Sequence, residues 1–294
     1  MNAAVVLMAY GSPERLADVP AYYADIRGGR PIPPQLLEDL VERYRRLGID
    51  DGSPLNAITA ETRAALEREL GDVPVFTGMK HWSPRIAEAA EAAVASGAHT
   101  VVGLVLAPHY SSMSIAGYRE QLDGALAERA ELAFIESWHD EPDFIDLLAE
   151  RVRGTDAHVV FTAHSLPARI LESGDPYKDQ LLETSQLVAE RAALETWSFS
   201  FQSESQTGEP WLGPDILDHL RELYSRGVRD VLVCPVGFVA DHLEIRWDLD
   251  HEAAELAEAL GLGFRRIEMP NADPAFVHLL AALVRRVLAV PSEA

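Results

Sequence analysis

Short runs of Val, Leu and Ile alternate along this chain with longer stretches in which apolar residues recur every three or four positions. A continuous apolar run suits a strand buried on both faces, whereas the three-or-four spacing suits a helix with one buried face. Their alternation predicts a parallel sheet covered by helices on both sides. Strands are expected at residues 5–8, 73–77, 101–106, 132–135, 158–161, 197–201, 231–235 and 264–267. Helices are expected at 58–70, 83–96, 117–128, 142–152, 179–193, 214–225, 243–260 and 275–287. Pro74 weakens the second strand, because proline cannot donate to a ladder. Pro84 and Pro214 fall where a first helical turn accepts them.

The pattern repeats. Residues 5–13 match residues 159–167 in kind without a gap, each pair 154 positions apart, and Pro84, Ile86, Gly97 and Val101 match Pro214, Ile216, Gly227 and Val231 at an offset of 130. The repeat predicts an α/β fold of two similar doubly wound domains, 1–135 and 136–294, with parallel sheets and a cleft between them. Ligands of such sheets bind beyond the carboxyl ends of the strands. Tyr10, Lys80, His81, His109, His164, Gln202, Ser203 and residues 241–244 all come shortly after expected strands. Tyr10 and His164 hold equivalent places, so they are expected to approach one ligand from opposite sides. Two Gly- and Pro-containing connectors, 28–34 and 208–214, suit the lips of the cleft. The polar stretch 199–210 reads as a segment that orders around ligand.

Composition narrows the partners. A formal charge of −22 with only two lysines, Lys80 and Lys178, argues against nucleic acid and anionic membrane and tolerates metal cations. The lone Cys234 excludes an internal disulfide and any four-thiolate cluster built by this chain. No apolar run approaches the roughly 20 residues that span a bilayer, and no signal-peptide pattern opens the chain, so a cytoplasmic, soluble protein is expected.

Glu244, Asp248 and Glu252 are spaced four apart and form a row of carboxylates along one helix flank, whose repulsion a cation or shared proton would relieve. Asp248 and Glu252 equally suit a solvated face, whereas Glu244 stands in the first turn after a strand. His164 ends an apolar strand. A neutral imidazole and a carboxylate facing one pocket bind a borderline metal such as Fe²⁺ and accept protons near neutral pH. Arg15, Arg27, Arg30, Arg43, Arg45 and Arg46 form a basic cluster in an otherwise acidic chain, with Ser53, Tyr22, Tyr23 and Tyr118 as hydroxyl donors. Guanidinium forks suit a substrate with several carboxylates, and they equally suit pairing with Glu38, Asp39 and Glu42. No phosphate loop, dinucleotide fingerprint or nucleophile elbow is present.

Over residues 5 to about 288 the chain resembles the ferrochelatases, and within them the bacterial enzymes that metallate coproporphyrin III. The resemblance rests on Ala163-His164-Ser165-Leu166-Pro167, Gly174-Asp175-Pro176-Tyr177, Gln202-Ser203, 210–214 and Asp241-His242-Leu243-Glu244. Met8-Ala9-Tyr10-Gly11, Tyr22-Tyr23 with 26–30, and Ser53-Pro54-Leu55 resemble the coproporphyrin branch. It implies a chelatase-like fold and insertion of Fe²⁺ into coproporphyrin III to give coproheme. His164 and Glu244 would stand on one side of the macrocycle and Tyr10 on the other. Asp248 and Glu252 would form a path for metal or protons, and Arg27, Arg30, Arg43, Ser53, Tyr118 and Lys80 would surround the propionates. Fe²⁺ would be a substrate, with no permanently bound cofactor and no iron-sulfur cluster. Transient contacts with an iron donor and a downstream haem enzyme would complete the pathway. Gly28, where relatives are commonly basic, and the loop 47–52 depart from the family pattern. A protoporphyrin IX ferrochelatase, a sirohydrochlorin cobalt chelatase and a non-catalytic haem or porphyrin carrier are the competing readings.

Overall fold

The computed structural model describes residues 2–50, 52–204 and 208–289. Each apolar run becomes a strand: β1 (Ala3–Ala9), β2 (Val75–Met79), β3 (Thr100–Val105), β4 (Glu131–Ile135), β5 (His158–His164), β6 (Trp197–Gln202), β7 (Asp230–Cys234) and β8 (Gly263–Arg266). They form two four-stranded parallel sheets of the same topology, ordered β2-β1-β3-β4 and β6-β5-β7-β8. Every residue of β1 is buried, as a central strand covered on both faces requires. Pro74 stays just outside β2 and contributes its carbonyl, which accepts from Val5 N at 2.9 Å. The Ser83–Pro84 and Gly213–Pro214 bonds are both cis. Pro84 O accepts from Met79 N and Pro214 O from Phe201 N, at 2.7 and 2.8 Å, so the two halves repeat in hydrogen bonding as well as in sequence.

Ten α-helices occupy the described residues: α1 (Val19–Ile26), α2 (Pro34–Arg46), α3 (Leu55–Leu70), α4 (Ile86–Ala95), α5 (Ile115–Leu126), α6 (Pro142–Val152), α7 (Tyr177–Ala192), α8 (Ile216–Ser225), α9 (Ala254–Leu260) and α10 (Pro274–Ala289). Helices α1 and α2 are additions to those expected from the sequence. Gly28 and Gly29, at φ +61° and +76°, turn the chain after α1 through bonds from Gly28 N to Asp25 O and Gly29 N to Ala24 O. Tyr44 of α2, Val19 and Ile49 form a small core against which Leu243 of the second half packs. The main core runs through both halves, joining Val5 and Leu7 to Val159, Phe161 and the aromatic group Trp138, Phe144 and Phe276. Helix α10 returns to the first half, where Arg285 and His278 meet Glu69. Among the described residues no helix is long and apolar enough to cross a membrane. Of the polar stretch 199–210, Ser205, Gln206 and Thr207 lie outside the described residues, as does Asp51 of the loop 47–52.

The helix expected over 243–260 is not α-helical throughout. Ile245–Ala253 is a π-helix, which passes into α9. The reason is legible in its spacing. Ile245, Leu249, Ala253 and Ala257 are all buried and strictly four apart. On an α-helix of about 3.6 residues per turn a strict four-residue stripe drifts about 40° per step and leaves its face. A wider i→i+5 turn offsets residues four apart in the opposite sense, so a π-helix passing into an α-helix keeps one face apolar and the row one residue before it acidic.

Candidate active site

The ends of β5 and β7 bring the first group together. His164 Nδ1 lies 3.4 Å from Glu244 Oε2, and the same oxygen lies 3.5 Å from His242 Nε2. His242 Nδ1 donates to the Ala240 carbonyl at 3.0 Å, which leaves its Nε2 facing Glu244. Side chains of His164 and Glu244 are 31% and 42% exposed, yet protein surrounds both on most sides, as on the floor of a cleft. Burial alone disfavours charge on either. Their mutual attraction outweighs it, so the imidazole is held above its ordinary value and the Glu244 carboxyl far below.

One turn along the π-helix, Asp248 is buried and accepts from Ser203 Oγ and, at 3.4 Å, from Gln202 Nε2. Gln202 is itself fixed by Thr162 Oγ1, which donates to its Oε1 at 3.0 Å. Ser203 adopts φ +64°, a conformation that non-glycine residues rarely take and that costs roughly 1–3 kcal/mol. Burial, then Glu244 and Glu252, push the Asp248 carboxyl up to about 7 against the opposing bond from Ser203. Glu252 comes next, half-buried, on the same face.

Tyr10 stands on the other wall. It is 42% exposed, and its ring lies 4.6 Å from that of His81 at 57°. His81 Nδ1 bonds Asp25 Oδ2 at 2.9 Å, and Arg85 grips the same carboxylate at 2.8 and 3.0 Å. Surrounding protein, and then the charge of Glu244, push the Tyr10 phenol up, which keeps it neutral. Tyr10 thus senses the carboxylate of the opposite half. Gly11 comes next at φ +85°, and a Cβ there would come within 2.7 Å of Trp82 Cβ, so only glycine lets the chain turn beneath Tyr10.

The ferrochelatase family model matches residues 2–288. The chain belongs to the ferrochelatase family. It is 45% identical to a ferrochelatase of Herpetosiphon aurantiacus over 96% of this chain and 98% of that protein. A coproporphyrin III ferrochelatase of Halalkalibacterium halodurans is 40% identical over 97% of each. Among solved structures, SirB from Bacillus subtilis with Fe³⁺ has a TM-score of 0.62 at 13% identity, covering 98% of this chain and 96% of that one. CbiX, described as the terminal enzyme for biosynthesis of siroheme in denitrifying bacteria, has a TM-score of 0.51 at 14% identity over 99% and 100%. At such identities the likeness concerns the fold, and it is the two-domain chelatase fold that the repeat predicts.

Arginines of the ferrochelatase's basic cluster divide into two groups. Arg15 pairs with Asp18 and Arg45 with Glu42, as ordinary surface pairs do. Among the described residues, Arg27, Arg30, Arg43 and Arg46 form no salt bridge. Arg27 Nε is buried without a hydrogen-bond partner. Arg30 Nε donates to the Arg27 carbonyl at 2.9 Å, and Arg43 and Arg46 lie over the Trp247 ring at 5.2 and 5.5 Å. Lys80 Nζ sits 4.7 Å from the centre of the buried Tyr118 ring and donates to Ser114 O at 3.1 Å. Ser53 is buried, with its hydroxyl accepting from Leu55 N.

Two contributions to the site are not marked by the sequence: Tyr44, and a separate role for His242. Tyr22, which donates to Gly11 O at 3.0 Å, Tyr44 and Tyr177 all feel the Glu244 charge. Tyr44 has a findable signal, because Leu37, Leu40, Val41 and Tyr44 keep helical spacing in α2. His242 stands inside the 241–244 motif, where the sequence gives it no separate role. Among the described residues no three His, Cys, Asp or Glu side chains gather closely enough to hold a metal ion unaided.

Proposed function

We propose that this ferrochelatase inserts Fe²⁺ into coproporphyrin III to give coproheme. The carrying observation is that Arg27, Arg30, Arg43 and Arg46 form no salt bridge among the described residues of a chain with formal charge −22. A guanidinium with a buried, unpartnered Nε is suited to a carboxylate that arrives with the substrate. Four propionates would use such a rim better than two.

Insertion must strip water from Fe²⁺, bend a flat ring so that pyrrole lone pairs point out, and remove two N–H protons. Glu244 and His242 offer an oxygen and a nitrogen to the incoming ion, with Asp248 and Glu252 behind them to exchange water for carboxylate. His164, its proton affinity raised by Glu244, is suited to accept a pyrrole proton or to hold the metal last before transfer. Tyr10, kept neutral, would contact the opposite face as ligand or as a stop against which the ring bends. Lys80 and Tyr118 would serve the propionates, as would Ser53 after its hydroxyl turns from Leu55 N. Fe²⁺ is then a substrate, with no resident cofactor and no iron-sulfur cluster. Cys234 is buried in β7, where burial pushes its thiol up and keeps it protonated. The enzyme would act in the cytoplasm, with transient hand-offs from an iron donor and to a downstream haem enzyme.

Initial rates with Fe²⁺ on coproporphyrin III and protoporphyrin IX test the reading. A several-fold higher kcat/KM on the tetracarboxylate is the expected result. Preference for protoporphyrin IX removes the assignment of the arginines, and saturation after one equivalent would indicate a carrier.

A further inference from the structure

Away from the acidic row, one buried carboxylate among the described residues joins the two halves. Asp175 Oδ2 accepts from Ser111 Oγ at 3.0 Å, from Ser112 N at 2.7 Å and from Ser112 Oγ at 2.7 Å, while Oδ1 accepts from Tyr177 N at 3.0 Å. The residue is buried, and burial raises its carboxyl, but the bonds from Ser112, Tyr177 and Ser111 outweigh that and hold it ionised. Both directions from Asp175 lead to the cleft. In the second half, Tyr177 OH donates to the His164 carbonyl at 3.0 Å. In the first half, Ser111 O accepts from the backbone of Ser114 and Ile115 and so starts α5, which carries Tyr118, and Ser114 O receives Lys80 Nζ.

We propose that Asp175 is a positioning residue that sets the spacing between the two walls of the cleft, acting through Tyr177 on His164 and through Ser111 and Ser112 on the loop that seats Lys80 and Tyr118. The proposal rests on the metal-insertion reading, because only a macrocycle gripped from both faces makes that spacing matter to rate. A neighbouring tie, Tyr110 N to Gln180 Oε1 at 2.7 Å, also crosses between the halves but leads to neither wall's reacting groups. Misplacement by about 1 Å can lower a rate on the order of 100-fold while leaving binding contacts in place. Loss of the clasp should therefore act on kcat more than on KM.

The test compares Asp175→Ala, the double variant Ser111→Ala/Ser112→Ala, and Tyr177→Phe, which removes only the bond to the His164 carbonyl. Each is measured for Fe²⁺ insertion, porphyrin dissociation constant, and the out-of-plane resonance Raman bands of the bound free-base porphyrin. Expected is a fall in kcat of about 100-fold for Asp175→Ala and about 3- to 10-fold for each of the others. Porphyrin affinity should stay within about 3-fold, with weakened out-of-plane bands. Adding Tyr177→Phe to Asp175→Ala should cost little more, since one path carries both. Should Asp175→Ala fail to fold, the serine double variant and Tyr177→Phe decide alone. Wild-type band intensity with wild-type kcat in those variants overturns the proposal, and so does equal loss of kcat and porphyrin affinity. Absence of turnover in the wild type would instead sink the metal-insertion reading, so the two failures are separable.

Discussion

The strand ends Ala9-Tyr10 and Ala163-His164 are equivalent in the fold, yet the segments that succeed them differ. Met79 lies 70 positions after Ala9 in the first half, whereas Phe201 lies 38 after the equivalent Ala163 in the second. The longer connection holds α1 and α2, and with them Tyr22, Asp25, Arg27, Arg43, Tyr44 and Arg46. The second half has instead its π-helix and the acids Glu244, Asp248 and Glu252. A duplicated scaffold thus presents a cationic and phenolic wall opposite an acidic and imidazole wall. In the proposed reading one wall takes the metal cation and the other the carboxylates of the organic substrate.

The largest test of that asymmetry weighs the equivalent strand-end residues against each other. Glu244→Ala or His164→Ala should lower kcat for Fe²⁺ insertion by about 10²–10⁴-fold, the range for groups that move protons at the reacting centre. Porphyrin affinity, read by fluorescence quenching, should change by less than about 3-fold, since neither residue belongs to the proposed propionate rim. Tyr10→Phe, at the equivalent position on the other wall, should cost only about 10-fold, because it removes a neutral hydroxyl rather than a titrating group. Equal losses at Tyr10 and His164 would mean that the two walls act alike.

Asp248 tests the electrostatics of the acidic wall without turnover. Its carboxyl is pushed up to about 7 in the folded protein from the ordinary 3.8. Below about pH 4 it is protonated whether the chain is folded or not. As pH rises toward 7 the unfolded chain releases that proton and the fold retains it, so folding stability is progressively lost, and above about 7 the loss is complete. Asp248→Asn keeps an acceptor for Ser203 and cannot ionise. Relative to wild type it should gain on the order of 2–4 kcal/mol between about pH 4 and 8 in denaturant melts, with little difference below about pH 4. A constant difference across that range would mean that neither burial nor Glu244 raises the Asp248 carboxyl.

On the cationic wall, Arg27→Ala should raise KM for the tetracarboxylate porphyrin by the equivalent of about 1.5–3 kcal/mol, the worth of a charge-assisted hydrogen bond, and leave kcat within about 2-fold. The same change should affect a dicarboxylate porphyrin less. Equal effects on both substrates would detach Arg27 from substrate choice.

Legibility in the sequence depends on range along the chain. Buried parallel strands announce themselves through uninterrupted runs such as 4–8 and 231–234, and His164 and Glu244 are findable because they terminate or succeed such runs. Helix α1 is hidden because eight residues with Pro20 in the first turn give too little periodicity to register. The π-helix is hidden for another reason: its four-residue rows are visible, but over so short a span they suit the commoner α-helix nearly as well. Asp175 is the extreme case. Its four donors come from Ser111, Ser112 and Tyr177, and those from the serines lie 63 and 64 positions away, so the clasp exists only once both halves have folded against each other.

The smallest effect concerns how the added helices are held against the opposite half. Arg46 lies over the Trp247 ring at 5.5 Å beside Arg43 at 5.2 Å, and Leu243 packs on the core formed by Val19, Tyr44 and Ile49. Two guanidinium groups on one indole repel each other, so each contributes less than it would alone. Arg46→Ala should therefore cost no more than about 0.5–1 kcal/mol, a drop in Tm of about 2 °C for a chain of this size. Because Trp247 belongs to the π-helix that carries Asp248, the loss of docking should also speed amide exchange at 245–248 more than in β1. If exchange instead rises equally in both places, the cationic helices are not anchored through the acidic wall.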